Sequence, residues 1–310
     1  VQLSPDNGLP GWDRIAGYFY PYSTIAGFSH THLSGTGAGD LYDISFMPVT
    51  LPYKEAKAPL GIHSKFSHSD EKASAGYYQV KLTDYNINVE LTATERCGIQ
   101  RYTFPKAEAA IFLNLKKAMN WDFTQDSYVE VLDSVTIRGY RYSDGWARNQ
   151  RIFFHTRFSK PFAKVTKDTT AITKEGKRLG TGYIVRFDFS TEENEQILVN
   201  TGISGVNMEG AAKNLNAEVP ENDFDKYLAS TQSYWNRELG KIEIETTDED
   251  IKVNFYTALY HSMLAPTIYN AIDGSYYGPD KKIHKAKDWT NYSTFSLWDT
   301  YRASHPLFTY

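Results

Sequence analysis

Short stretches in which apolar and polar residues alternate dominate the chain from Tyr18 to about Thr201. Alternation with a period of two, in stretches rich in β-branched and aromatic residues, predicts strands that are buried on one face. Many such stretches follow one another without amphipathic helices between them, which predicts a large antiparallel β-sandwich and a mainly β fold. The clearest stretches are 76–83, 87–95, 100–105, 109–115, 134–143, 151–159, 182–190 and 195–203.

The pattern becomes helical near residue 205. Residues 206–219 and 224–242 are predicted to form two helices, because their apolar residues recur every three or four positions. Residues 241–247 are predicted to form a short strand or an extended linker. We therefore expect a helical connection after the sandwich.

Residues 248–269 are predicted to form a third helix, with a wide apolar stripe that predicts burial on more than one side. Thr247 and Asp250 have the spacing of a capping pair at its start. The following segment, 270–294, is long and irregular, and loops of this length inside compact domains are more often functional than not.

The last sixteen residues read FSLWDTYRASHPLFTY and occupy positions 295–310. Ser296 is a suitable N-cap for an aromatic helix, which Pro306 would kink or end. A short aromatic helix cannot bury its apolar stripe alone. We therefore expect this chain to be the first part of a longer protein.

Composition narrows the function classes without choosing one. The net charge of −4 is not the basic footprint of a nucleic-acid-binding protein. No apolar run is long enough to span a bilayer, and one cysteine cannot form an internal disulfide. Aromatic residues make up 15% of the chain, which fits a carbohydrate-binding surface, although large β-sandwiches favour aromatic residues in any case.

Trp298 and Asp299 are the strongest candidate site residues. An aromatic ring stacks on the apolar face of a sugar, while a neighbouring carboxylate accepts hydrogen bonds from two sugar hydroxyls. The alternative is structural: Asp299 would interact with the N-terminus of its own helix, and Trp298 would fill the core. We favour the sugar-binding interpretation.

Two other blocks of the sequence contain side chains that could bind a metal or act as a nucleophile. His30 and His32 lie on one face of an extended segment, but no third metal ligand is evident, so we predict no metal site there. Cys97 follows Arg96 in TERCGIQRY, and a thiol beside an arginine can be a nucleophile. No His–Asn partnership supports that role, so we expect a buried cysteine at the edge of a cleft. Arg96 would position either loop backbone or substrate hydroxyls.

Three blocks of the sequence are distinctive when taken together: GFSHTHLSGTGAGDLYDISFMPV (27–49), TERCGIQRYTFP (94–105) and FSLWDTYRASHPLFTY (295–310). In this order and at these separations, they resemble the calcium-dependent exo-acting α-mannosidases of glycoside hydrolase family 92. The resemblance spans essentially the whole chain.

The resemblance implies a β-sandwich domain over residues 1–222, a helical linker over 223–247 and the truncated start of an (α/α)6 barrel catalytic domain over 248–310. It implies an inverting exo-α-mannosidase, with an α-1,2 preference expected, that removes terminal mannose from glycans with the help of calcium. The general acid, the general base and most calcium ligands would lie downstream of Tyr310. This chain alone is therefore expected to hold no catalytic residue and to be inactive.

The resemblance also concerns the glycine-rich block FSHTHLSGTGAGD (28–40). It implies that this block is the part of the sandwich that lines a cleft against the barrel. The substrate-binding residues expected in this chain are Trp298, Asp299, His32, Arg96 and Cys97, with His32 on the side of the leaving sugar.

Two further expectations concern the class and location of the protein. Relatives of this kind are exported by glycan-foraging bacteria, so we expect a periplasmic, cell-surface or secreted protein whose partners are mannose-containing glycans. The alternative to an enzyme is a non-catalytic carbohydrate-binding sandwich, for which the aromatic content and the glycine-rich loops would suffice.

Overall fold

A computed structural model describes residues 1–9, 11, 17–33, 41–57, 61–116, 122–294 and 297–309. Most of its strands form two antiparallel sheets that pack face to face, which confirms the predicted β-sandwich. In chain order the strands are β1 (Ser4–Asp6), β2 (Thr24–Ile25), β3 (Gly27–Ser29), β4 (Ser45–Thr50), β5 (Ser64–Lys65), β6 (Lys72–Ser74), β7 (Tyr77–Leu82), β8 (Ile87–Ala93), β9 (Cys97–Phe104), β10 (Ala107–Asn114), β11 (Phe123–Val131), β12 (Thr136–Asp144), β13 (Gln150–Phe158), β14 (Lys164–Lys174), β15 (Lys177–Thr191), β16 (Glu195–Ser204), β17 (Ser275–Tyr277) and β18 (Ile283–Lys285).

The two large sheets differ in size. One has six strands in the order β1-β3-β4-β10-β15-β14, and the other has eight in the order β11-β12-β13-β16-β9-β8-β7-β6. Strands β2 and β5 pair separately, as do β17 and β18. All the long strands lie before residue 205, where the alternating pattern ends.

The core lies between the two sheets and is strongly aromatic. Phe158 of the eight-stranded sheet has its ring centroid 6.2 Å from that of Phe46 and 5.1 Å from that of Phe187, both of which belong to the six-stranded sheet. The three side chains are essentially inaccessible to solvent. Burying each such side chain contributes about 1.5–3 kcal/mol. Part of the aromatic content therefore serves sheet packing.

Two helices, both of which were predicted from the sequence, cover the outer face of the eight-stranded sheet. They are α1 (Met208–Glu218) and α2 (Phe224–Leu239). Asn207 caps α1 through the backbone N–H of Gly210, and Asp223 caps α2 through that of Lys226. A second apolar cluster joins the helices to the sheet; it contains Cys97, Ile99, Leu198, Leu215, Val219, Phe224 and Tyr227.

The third helix, α3 (Glu249–Ser262), differs from its prediction in three respects. It is shorter than 248–269. Its cap is Asp248, whose carboxylate accepts from the N–H groups of Asp250 and Ile251, because that side chain directly precedes the unpaired amides of the first turn. The prediction of burial on several sides was wrong: Leu259 is its buried residue among those described, whereas Ile251 is 54% exposed.

The segments before and after α3 can also be compared with their predictions. Residues 241–247 contain no strand and form the extended linker that was the alternative. The segment 270–294 contains the β17–β18 hairpin, which the sequence analysis did not predict. Residues 297–309 form two short helices, α4 (Leu297–Thr300) and α5 (Ser304–Leu307), in place of one. Ser296, the expected N-cap, lies outside the described residues.

Candidate functional site

A cavity of about 1330 Å³ lies where the sandwich meets α2, α3 and the segment after α3. Its walls come from the N-terminal strand, from β6 to β8 and from both helices. Trp235 and Tyr260 meet edge to face in it, with ring centroids 4.8 Å apart. Among the residues that the structure describes, eight Tyr and Trp residues line this junction cavity: Tyr18, Tyr77, Tyr78, Tyr234, Trp235, Tyr256, Tyr260 and Tyr292.

His32 also lines the junction cavity, but both of its ring nitrogens are bonded to protein. Nδ1 donates to the backbone carbonyl of Gln2 at 2.7 Å, and Nε2 lies 2.8 Å from Oδ1 of Asp6. Gly17 allows this packing because it has a φ of +92° and a Cβ there would lie 2.9 Å from the His32 ring. Both polar atoms of the His32 ring are therefore engaged by other groups of the same chain.

His30 lies in the same segment and faces different neighbours. Its Nδ1 bonds to the carbonyl of Ile44 at 2.7 Å, and its ring packs so closely on Gly98 that a Cβ there would lie 2.4 Å from it. Complete burial lowers the pKa of His30 to about 4, so the ring is neutral near pH 7. Among the residues described, no group of three or more His, Cys, Asp or Glu side chains could hold a metal ion.

Arg96 lies in the turn between β8 and β9, is 9% exposed, and its side chain donates to three protein groups. Its Nε donates to the carbonyl of Asn270 at 2.7 Å. One terminal nitrogen donates to Glu218 at 2.8 Å and to Glu95 at 2.7 Å. Of the two roles left open, these contacts match the positioning of loop backbone.

Cys97 follows directly and is fully buried in the apolar cluster under α1 and α2. Burial is the largest cause of a raised pKa for its thiol, with the Glu218 carboxylate adding to it. The thiol is therefore protonated and shielded from solvent at neutral pH, as in a structural cysteine.

Trp298 and Asp299 follow the long segment after α3. Both belong to α4, and the side chain of Trp298 is 83% exposed. Trp298 is not among the described residues that line the junction cavity. Among the predicted residues, His32 lines the junction cavity, Arg96 and Cys97 lie where β9 begins, and Trp298 is exposed.

The sequence analysis missed a buried ionic cluster beside the glycine-rich block. Arg141 is fully buried, and its guanidinium lies 2.6 Å from Asp43 and 3.2 Å from Asp122. Thr31 donates to the second oxygen of Asp43 at 2.8 Å, so the cluster also joins the chain segments that end at residue 33 and begin at residue 41. A signal existed: Arg141 stands at an inward position of β12, where an apolar residue is expected.

The backbone of residues 41–44 is also unusual. Leu41, Tyr42 and Ile44 all have positive φ values, of 80°, 58° and 58°. Non-glycine residues adopt this region at an energetic cost, and such conformations concentrate at functional sites. Asp43, which pairs with Arg141, lies among these residues.

Comparison with known families and structures gives the chain its class. Residues 1–204 match the glycosyl hydrolase family 92 N-terminal domain, and residues 210–310 match the glycosyl hydrolase family 92 catalytic domain. The chain therefore belongs to glycosyl hydrolase family 92, a family of glycosidases. The resemblance predicted from the three sequence blocks is confirmed.

Individual relatives agree with the family match. The family 92 α-mannosidase BT3965 from Bacteroides thetaiotaomicron is 35% identical, with a TM-score of 0.90, over 99% of this chain and 43% of its own. The inverting mannosidase BT2199 from the same organism is 26% identical, with a TM-score of 0.82, over 99% of this chain and 41% of its own. An uncharacterized secreted glycosidase from Arthroderma benhamiae is 24% identical over 95% of this chain and 41% of its own length. The chain thus spans about two-fifths of these relatives.

Proposed function

We propose that this chain is the N-terminal part of an exo-α-mannosidase that removes terminal mannose from glycans. The observation that supports this most is the 35% identity to a mannosidase over 99% of the chain. A structure of that relative contains mannoimidazole. The match of residues 210–310 to a catalytic domain favours an enzyme over a non-catalytic binding module.

Trp298 and Asp299 are the proposed sugar-binding residues of this chain. The exposed ring of Trp298 offers a face on which a pyranose can stack. Asp299 follows it in the same short helix, and its carboxylate is proposed to accept hydrogen bonds from hydroxyls of the same sugar. Stacking and hydroxyl recognition would then fix the terminal mannose in one orientation.

The proposed reaction is hydrolysis with inversion and a preference for α-1,2 linkages. Inversion needs two carboxyl groups about 6.5–9.5 Å apart with a water between them. We place both carboxyl groups in the part of the protein that follows this chain. Calcium is proposed as the metal of the whole enzyme, and the described residues offer no group of three or more His, Cys, Asp or Glu side chains to hold it.

The proposed location is the periplasm, the cell surface or the exterior of a bacterium. A relative is described as secreted. None of the described helices is long and apolar enough to cross a membrane.

Three samples test the proposal: the full-length protein, the full-length protein with excess chelator, and the chain 1–310. Mannose release from α-linked mannobioses is measured for each. We expect rapid release by the full-length protein, strong loss with chelator that calcium restores, and none from the chain 1–310. A full-length protein without activity on any α-linked mannobiose contradicts the function, and activity that survives chelation contradicts only the calcium assignment.

A further inference from the structure

The chain around Arg96 forms a continuous hydrogen-bonded connection between the sandwich and the segment that leads to α4. Arg96 belongs to the sandwich, whereas Asn270, whose carbonyl oxygen accepts from Arg96 Nε, lies in the catalytic-domain match. The two residues are 174 positions apart in sequence. This contact therefore fixes part of the second domain directly on the first.

Glu218 at the end of α1 holds Arg96 in place. One of its carboxylate oxygens accepts from the guanidinium at 2.8 Å, and the other accepts from the backbone N–H of Arg96 at 2.9 Å. The side chains of Arg96 and Glu218 are only 10% and 12% exposed, respectively. A shielded ion pair bonded to backbone on both sides has a defined geometry, unlike an exposed surface pair.

The connection continues from Asn270 toward Trp298 and Asp299. Oδ1 of Asn270 accepts from the N–H of Asn291 at 3.0 Å, and the N–H of Tyr269 donates to the carbonyl of Asn291 at 2.8 Å. Ser293 donates its N–H to the carbonyl of Thr267, also at 2.8 Å. Residues 267–270 and 291–293 are thus paired, and α4 begins four residues after Ser293.

A second contact from α1 supports the same segment. Asn214 accepts from the N–H of Ile272 at 2.9 Å and donates to the carbonyl of Ile203 at 2.8 Å. Asn214 and Glu218 are four residues apart, and so lie on one face of α1. This face of α1 and Arg96 therefore both contact the start of the segment 270–294.

We propose that Arg96, held by Glu218, is a positioning residue that sets the location of the Trp298–Asp299 pair relative to the sandwich. The proposal rests on the proposed function, because it gives the pair a sugar to bind. Arg96 itself does not touch the sugar. A displacement of binding groups by about 1 Å is enough to reduce the rate of an enzyme about 100-fold.

The experiment compares Arg96→Lys with Arg101→Lys in the full-length protein. Arg101 is a matched control: it lies on β9, is similarly shielded, and joins the sandwich to α2 through Glu90 and Asp225. Lysine keeps the charge but cannot donate to Glu218 and Asn270 in the planar geometry of a guanidinium. We expect kcat/KM for a mannobiose to fall at least tenfold in Arg96→Lys and less than about threefold in Arg101→Lys, with similar losses of thermal stability.

Hydrogen exchange measured on the same samples provides a readout that is independent of activity. In Arg96→Lys the amides of Asn291 and Ser293 are expected to exchange faster, while those of β9 remain protected. Unchanged protection at these amides overturns the proposal, whether or not the protein cleaves mannosides. Equal losses of kcat/KM in the two lysine variants also overturn it. An inactive wild type counts only against the proposed function.

Asn270→Ala is a second variant that leaves Arg96 and Glu218 intact. It removes the acceptor for the Asn291 N–H, the next step of the connection. We expect faster exchange at Asn291 and a loss of kcat/KM in the same direction as in Arg96→Lys. Wild-type activity and exchange in this variant would contradict the proposed route.

Discussion

At the scale of single residues, the buried cluster of Arg141, Asp43 and Asp122 is the most consequential feature of the sandwich. All three side chains are removed from solvent. Removing one member of such a cluster leaves uncompensated charge in the interior, which typically costs about 3–5 kcal/mol.

We therefore expect Arg141→Met to lower the free energy of unfolding by about 3–5 kcal/mol, as measured by urea denaturation. Arg138→Met is the matched control, because Arg138 lies on the same strand but pairs with Glu130 at a partly exposed position. The control should lose less than about 1 kcal/mol. Similar losses in the two variants would contradict the structural importance of the buried cluster.

His68 forms a pH-dependent contact near the start of the chain. Its Nδ1 lies 2.7 Å from Glu71 and its Nε2 lies 2.8 Å from the carbonyl oxygen of Tyr20. Both partners can accept, so a protonated His68 ring can donate from both nitrogens. The hydrogen bond to Glu71 is the main cause of the raised pKa of His68.

A raised pKa stabilises the fold fully below the ordinary value of 6.5, and this stabilisation is lost as the pH rises through the folded-state pKa. We expect an NMR titration to place the pKa of His68 above 6.5, and Glu71→Gln to lower it. His68→Gln should cost more stability at pH 6 than at pH 9, although no more than about 1 kcal/mol, since the pair is partly exposed. A His68 pKa at or below 6.5 would rule this out.

Sequence analysis identified single residues unevenly. The burial of Cys97 could be inferred, because no partner residues for a nucleophile accompany it. The partners of Arg96 could not, because Glu218 and Asn270 are 122 and 174 positions away, and no local pattern reports contacts at such separations. The cap of α3 was placed one residue too early, at Thr247, because threonine and aspartate both suit that position.

At the scale of elements, the strands that were predicted correctly are those in which apolar and polar residues alternate strictly. Strand β12 alternates buried and half-exposed side chains along its whole length, and it was predicted as a strand. Strand β14 was not, because it lies at the edge of its sheet and has mostly exposed, polar side chains. A strand of this kind leaves no period-two signal.

Helix α1 depends on its cap, and this can be measured. Asn207 accepts from the N–H of Gly210 at 2.7 Å. We expect Asn207→Ala to reduce the free energy of unfolding by about 1 kcal/mol, because an amide in the first turn loses its acceptor. Asn216→Ala, on the exposed face of the same helix, should change it by less than about 0.5 kcal/mol. Equal effects of the two substitutions would contradict the capping role.

At the scale of the whole molecule, the sandwich and the helical segment are joined by many bonds between residues distant in sequence. Arg101, Arg96 and Asn214 each link the sandwich or its covering helix to a later segment. The fold class and the family followed from three sequence blocks and the strand pattern. The junction cavity did not, because the described residues that line it come from eight separate parts of the chain.

The exposed apolar residues of α3 and α4 also concern the molecule as a whole. Ile251, Val253, Leu297 and Trp298 are all more than half exposed. The sequence predicted burial for the α3 stripe because periodicity reports that a face is apolar but not what covers it. Trp298 combines this exposure with a neighbouring carboxylate, which is why the sugar-binding proposal centres on it.

The most direct test of the central claim is the kcat/KM of the full-length Asp299→Asn protein on α-1,2-mannobiose. Two hydrogen bonds from hydroxyls to a charged acceptor, each worth about 1.5–3 kcal/mol, predict a fall of about 100-fold or more. Asp288→Asn, in the exposed loop before α4, is the control and should stay within about twofold of the wild type. A full-length Asp299→Asn protein with wild-type kcat/KM would contradict the claim that Trp298 and Asp299 bind the terminal mannose.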